Sequence, residues 1–244
     1  MKRLFGFTLA ETLIVMGIIG VVAALTLPNL NSSTGDKEKV SKLQKIYSNL
    51  QDAFSRAEAV YGPVENWCPG CDNSKASAKF QGRLLDFLKV SKVCDSSSEH
   101  TCFTEYDDNG FEYVQSTPAF ILSDGSSIIL IGQGHETSLA APGITADVPE
   151  KHVYGLIWVD LNGVNKGKNT GGDDIFSFTI TSTGGIIPDG GEYCLDKFDP
   201  SKEADFLATA WVLHTGNMDY LKNKNGKCPD GKTVLNWTTN TTCK

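Results

Sequence analysis

Residues 7–27 form an almost unbroken apolar run in which Glu11 is the single charge. A stretch of about 20 such residues is long enough to cross a bilayer core as a helix. It carries no polar face, so folded as a helix it needs lipid or other copies of itself around it. Lys2 and Arg3 precede it, and basic residues at that end set the end toward the cytoplasm and the bulk of the chain outside. A carboxylate inside such a helix costs roughly 2.5–3.5 kcal/mol on insertion scales and points to a partner. Two readings compete for this segment. One is a secretory signal peptide, cut after the small residues Val22, Ala23 and Ala24. The other is an anchor that stays in the mature protein.

The order of residues favours the second. Gly6-Phe7-Thr8-Leu9-Ala10-Glu11, followed by the apolar run and by Pro28, resembles the type IV pilin and type II secretion pseudopilin family. The resemblance covers the leader and the first helix, roughly a quarter of the chain by motif span. It implies that a prepilin peptidase cuts between Gly6 and Phe7, and that Phe7 is then N-methylated. It also implies that Glu11 pairs with the N-terminal ammonium of a neighbouring subunit, at the position of Phe7, which would neutralise two buried charges and set the register between subunits. The implied divisions are a cleaved leader (1–6), a transmembrane and assembly helix (7–28), an extra-membrane continuation of that helix (29–62) and a globular α+β head (63–244). The lipid bilayer would hold the chain before assembly, with the head facing away from the cytoplasm. Gly17, Gly20 and Ala24 offer small faces for close helix contact.

Pro28 lacks a backbone N–H and is expected to kink or end the first helical run, with 29–36 a loosened stretch. Apolar residues then recur at spacings of three and four (Val40, Leu43, Ile46, Tyr47, Leu50, Phe54, Ala57, Val60), an amphipathic stripe that ends at Gly62-Pro63. Lys37, Lys39, Lys42 and Lys45 lie mostly off it. Residues 67–102 read as irregular, with one helix over 80–90. Strands are expected over 119–122 and 127–131, around the turn Ser123-Asp124-Gly125-Ser126, and over 153–161, 175–181 and 186–188. Four or five strands with tight turns imply an antiparallel sheet. The fold class is therefore α+β, a long N-terminal helix packed on an antiparallel sheet, as in pilins. Residues 201–221 read equally as a helix or as a hairpin around Gly216-Asn217.

Seven cysteines in 244 residues suggest an oxidising compartment. Cys68, Cys71, Cys94, Cys102, Cys228 and Cys243 are the disulfide candidates. Cys194 is the most isolated and the one an odd count leaves over, although spacing does not fix connectivity. Cys228 and Cys243 resemble the disulfide-bounded C-terminal region of many type IV pilins. Cys68-Pro-Gly-Cys71 invites a thioredoxin-like reading, but a helix breaker precedes it and no βαβ pattern surrounds it. Zinc held by Cys68, Cys71, Cys94 and Cys102 is the other metal reading.

Asp160, Asn162, Asp173 and Asp174, with Asn165 and Asn169 between them, concentrate oxygen ligands in a glycine-rich loop that can hold Ca²⁺. The loop is not an EF-hand, because Gly171 stands where the last glutamate belongs. It resembles loosely the sheet-side calcium loop of some pseudopilins; the alternative is a turn that needs no metal.

No nucleophile–base signature or phosphate loop is present, and His100, His135, His152 and His214 are scattered. A net charge of −7 with a pI near 5.1 argues against a nucleic-acid partner, which requires a basic footprint. The sequence thus predicts a non-enzymatic subunit of a type IV pilus or type II secretion filament in the bacterial inner membrane and then the periplasm or cell surface. Its partners would be prepilin peptidase and other pilin or pseudopilin subunits, in a homo- or hetero-filament. A minor or competence-type pilin aiding adhesion or DNA uptake is the variant within the family. A signal-anchored envelope thiol–disulfide protein is the alternative of another class.

Overall fold

The computed structural model describes residues 9–94, 102–103, 117–137, 153–164, 166, 169–182, 185–191, 197–202 and 204–243, with the side chains of 9–12, 20, 22–33 and 134–137 outside the description. The chain divides into two compact units, Met1–Glu38 and Lys39–Lys244. Helix α1 (Leu9–Tyr61) contributes to both.

In the first unit, α1 runs without interruption through Pro28 and the 29–36 stretch. The expectation that the helix ends or loosens there is corrected. One absent N–H removes a single hydrogen bond from a helix of 53 residues, and the turns on either side hold the rest.

The second unit is built on the remainder of α1. Val40, Leu43, Ile46, Leu50, Phe54 and Ala57 are buried and Tyr47 is partly so, as the stripe predicts, with Ala53 buried beside them, whereas Val60 in the last turn is exposed. Gly62, at φ +80°, follows the last helical turn, and its N–H reaches the carbonyl of Glu58 at 2.9 Å. The sheet has six antiparallel strands in sequential order: β1 (Val90–Cys94), β2 (Ala119–Leu122), β3 (Ser127–Thr137), β4 (Val153–Asp160), β5 (Ile175–Thr181) and β6 (Gly185–Pro188). Side chains alternate across it. Ile128, Leu130, Ile157, Val159, Phe176, Phe178 and Ile180 join the α1 stripe in the main core. Ile129, Trp158 and Ile175 cluster separately with Cys94, Cys102 and Phe103. Both faces are covered, so the central strands read as continuous apolar runs rather than as a polar–apolar alternation.

The helix is fixed on the sheet by more than apolar area. Tyr47 stacks on Phe178 at 5.6 Å between centroids. The Gln51 amide donates to the Ile186 carbonyl at 2.7 Å and accepts from the Ile186 N–H at 3.4 Å. Phe54 meets Trp67, which meets Phe80 edge-on at 5.1 Å.

Phe80 belongs to α2 (Asn73–Leu85), which Asp72 caps by accepting from Lys75 N–H at 2.9 Å. The expected helix over 80–90 therefore starts earlier and stops at Leu85, and Val90 opens β1. The 67–102 stretch is less irregular than it reads. Helix α2 lies so close to β3 that a Cβ on Gly132 would come within 2.7 Å of the Ala76 backbone. The Gly132 N–H instead donates to Ser77 Oγ at 2.9 Å.

After β6 the chain forms a 3-10 turn (Phe206–Ala208), the short helix α3 (Thr209–Thr215) and a second 3-10 turn (Asp219–Lys222). The hairpin reading of 201–221 is wrong, since Gly216 is the left-handed cap of α3 at φ +69°. Trp211 packs edge-on against Phe198 at 6.4 Å and Trp237 at 5.0 Å, while Trp237 Nε1 donates to the Phe198 carbonyl at 2.7 Å.

Asp189, just past β6, is buried and accepts from Thr179 Oγ1 at 2.7 Å. Burial pushes its carboxyl up to about 6, opposed by the hydroxyls of Ser177 and Thr179. Its folded value lies above the unfolded one near 3.8. The folded state thus binds the proton more tightly, and stability is lost as pH rises through the window between about 4 and about 6. Asp189→Asn keeps the acceptor and removes the charge. We expect urea titrations to show the variant more stable than wild type at pH 7, by on the order of 3 kcal/mol at most, with the gap closing below pH ~4.

Candidate functional site

Gly6 and Phe7 lie outside the described residues, and Glu11 falls within α1 with its side chain outside them. Next along the helix, Leu13, Ile14, Val15, Met16, Ile18, Ile19 and Val21 are each between 52% and 72% exposed. Consecutive residues point all round a helix, so this surface is apolar on every side. An apolar surface of this kind marks a contact with another protein or with lipid. Among the described residues, no helix is long and apolar enough to cross a membrane. Of the expected span 7–28, side chains are described only at 13–19 and 21.

The six candidate cysteines form three disulfides, Cys68–Cys71, Cys94–Cys102 and Cys228–Cys243, so a zinc site from the first four is replaced by two local bridges. Cys68–Cys71 follows the 3-10 turn Val64–Asn66 and leads into the cap of α2. Cys68 is buried and Cys71 is packed against the core. Cys94–Cys102 ties the end of edge strand β1 to the cluster beneath Trp158. Cys228–Cys243 closes the C-terminal loop, and the Cys243 N–H donates to Asp219 Oδ2 at 2.8 Å. Cys194, His100 and His152 lie outside the described residues, as does the side chain of His135. His214 is exposed beside Trp237, 6.0 Å between ring centres.

The structure gathers the Asp/Asn-rich segment at the ends of β4 and β5, where register pairs Asp160 with both Ser127 and Ile175. Asp160 Oδ1 accepts from the backbone N–H groups of Asn162 and Gly163, each at 2.9 Å. Asp174 Oδ1 accepts from Thr170 N–H at 2.6 Å, and its Oδ2 from the Asn162 amide at 2.7 Å. Asp173 Oδ1 accepts from Lys39 Nζ at 2.5 Å. Gly163, at φ +83°, passes so close to the β2–β3 turn that a Cβ would fall 2.1 Å from the Gly125 carbonyl oxygen. Burial raises the carboxyls of Asp160 and Asp174, against the backbone N–H bonds and the charges of Lys42 and Lys39 respectively. Among the described residues, no three His, Cys, Asp or Glu side chains converge as a metal site would require. Sequence reasoning missed the lysines, because their spacing reads as an ordinary solvated helix face.

Over 112 residues, 46% of this chain and 67% of the relative, the chain is 28% identical to the fimbrial protein EcpB of Eikenella corrodens. Over 50 residues, 20% of this chain and 33% of the relative, it is 48% identical to the type II secretion system core protein G of Klebsiella pneumoniae. The chain thus spans about a third of the length of that second protein. No protein-family model matches the chain, and no solved structure matches it. The similarities suggest a pilin-like or pseudopilin-like chain, and the six-stranded antiparallel sheet beneath an N-terminal helix is compatible with that fold.

The C-terminal bridge sets a measurable stability. Its cysteines are 15 positions apart, and closing a loop of that length is worth about 3 kcal/mol in the chain-entropy model. We expect Cys228→Ser with Cys243→Ser to lower the thermal midpoint by roughly 6–12 °C, at about 2–4 °C per kcal/mol for a head of this size. A midpoint equal to wild type would mean that the aromatic cluster around Trp237 holds the C-terminal segment alone.

Proposed function

We propose that the chain is a structural subunit of a type IV pilus or type II secretion filament, cut by prepilin peptidase after Gly6 and methylated at Phe7. The carrying observation is the first part of α1, apolar on every side among its described side chains and continuous with a helix whose second half serves as the core of a folded head. A helix surface apolar all round calls for lipid or other protein against it. The names of the two relatives, a fimbrial protein and a type II secretion protein, support a filament as that partner. In this reading the chain sits in the bacterial inner membrane before assembly, with its head outside the cytoplasm. Glu11 then pairs with the ammonium of Phe7 in an adjacent subunit. The chain acts as a building block rather than an enzyme. A buried Cys68 bonded to Cys71, with no strand leading into the pair, supports a structural bridge over a thiol–disulfide catalyst.

The processing and pairing roles are separable in cells. Intact mass and N-terminal sequencing are expected to give a mature chain starting at methylated Phe7, and a bulky residue at Gly6 is expected to leave the precursor uncut. Glu11→Leu makes the helix more apolar. It is expected to insert and be cut normally, yet to be depleted from sheared filaments at unchanged membrane level. A mature chain starting near Leu25 would restore the signal-peptide reading. Filament entry of Glu11→Leu equal to wild type, beside a shaft-subunit control, would remove the pairing role.

A further inference from the structure

Lys39, Lys42 and Lys45 stand three residues apart along one edge of α1, where helical spacing brings them onto a common side. Their ammonium groups reach two turns of the head. Lys39 Nζ donates to Asp173 Oδ1 at 2.5 Å. Lys42 Nζ donates to the Leu161 carbonyl at 2.5 Å and lies 3.4 Å from the Asp124 carbonyl. Lys45 Nζ lies 4.0 Å from Asp124 Oδ2, with 65% of its side chain exposed against 31% for Lys39. The first two lysines therefore enter the loop that carries Asp160, Asp173 and Asp174, while the third stays at its rim.

Asp160 and Asp174 are buried in this loop with Asp173 beside them, and buried carboxylates need positive charge nearby because burial disfavours their ionised form. Calcium meets such a need with six to eight oxygens. Here most of the described carboxylate oxygens are committed elsewhere. Asp160 Oδ1 and both oxygens of Asp174 hold loop N–H groups. The carboxylate of Asp173 holds an ammonium, and so does the Leu161 carbonyl. Among the described residues of the loop, the buried side-chain oxygens left without a hydrogen-bond partner are Asp160 Oδ2 and Asn162 Oδ1. Two oxygens fall well short of a calcium shell, even with the unpartnered hydroxyls of Ser126 and Ser127 on the neighbouring turn added. The described residues of the loop do not fit the ion that the pseudopilin resemblance suggests.

We propose that the ammonium groups of Lys39 and Lys42 take the structural place of a divalent cation in this loop, so that the head of this protein is folded and locked onto α1 independently of calcium. The positive charge is carried by the helix itself. The same contact that balances the loop also joins it to α1, which a bound ion held by the loop alone would not do. This inference rests on the loop geometry and not on the filament reading, so either can fail without the other.

The test uses the full-length chain in detergent, followed by near-UV circular dichroism on heating. Wild type is expected to unfold at the same temperature in millimolar CaCl₂ and in EGTA. Lys39→Gln and Lys42→Gln are each expected to lower the midpoint in both buffers by roughly 2–4 °C. Lys45→Gln, at an exposed and long contact, is expected to leave it unchanged. Lys42→Arg keeps the charge and is expected to stay closer to wild type than Lys42→Gln, which separates a charge role from packing of the lysine stem. The inference is overturned if calcium raises the wild-type midpoint by several degrees over EGTA. It is equally overturned if Lys39→Gln and Lys42→Gln both unfold at the wild-type temperature, or if Lys42→Arg falls as far as Lys42→Gln.

Discussion

Burial of one stripe of α1 against the sheet is the contact from which the rest of the head follows. Leu43, Ile46, Leu50 and Phe54 have almost no exposed surface, and truncating any one of such residues to alanine costs about 2–5 kcal/mol. A sheet six strands wide presents more apolar area than its own turns can cover. The stripe supplies the missing layer, and α2 extends it beyond β3 through the close approach at Gly132. The polar contacts at the margins then fix angle and register. Gln51 holds the β6 edge through Ile186, while Lys39 and Lys42 hold the loops at the ends of β3, β4 and β5. Apolar area alone is non-directional, so these few directed bonds decide where along the sheet the helix settles.

What could be read from the residues follows the strength of local chemistry. Strands β2 and β5 were legible to the residue, because the Ser123-Asp124-Gly125-Ser126 turn marks the end of β2 and Ile175 to Thr181 is a compact run rich in β-branched and aromatic residues. Strand β3 runs to Thr137, beyond the expected 131, since Gly132, Gln133 and Gly134 carry no strand signal and their place is set by α2 and β4. Strand β1 was invisible. Ser91 and Lys92 are exposed on an edge and only Cys94 is buried, so neither alternation nor an apolar run marks it. Helix α3 has seven residues, too few to show a period, and its glycine cap reads equally well as a hairpin tip. The disulfides divide the same way. Cys228 and Cys243 stood out through resemblance, whereas the pairing of the other four needed the fold to bring Cys94 and Cys102 together.

The aspartate loop shows why composition misleads about metals. Asp160, Asn162 and Asp174 do meet in space, as the spacing implied, but their oxygens accept the Asn162 and Thr170 backbone N–H groups and the Asn162 side-chain amide. An Asx turn and a calcium loop draw on the same residue types, since both need short oxygen-bearing side chains beside glycine. The discriminating residues lie more than a hundred positions away, on α1, where the sequence shows only lysines on a polar helix face. Long-range pairs of this kind leave no periodic trace.

The two halves of α1 differ in how they are satisfied. In the second half the stripe leaves an opposite face of Asn49, Asp52, Ser55 and Arg56 toward solvent, and the head completes the apolar side. In the first half the side chains described at 13–19 and 21 are apolar on every side. A helix is cooperative along its length, so a folded second half propagates helical order toward the first even through Pro28. Residues already in a helix avoid the ordering cost that an unstructured segment incurs on association, on the order of 1–2 kcal/mol per residue fixed. The apolar surface then goes toward contact with whatever surrounds it. Association through residues 13–21 would therefore draw on a helix that the buried turns from Lys39 onward help to nucleate.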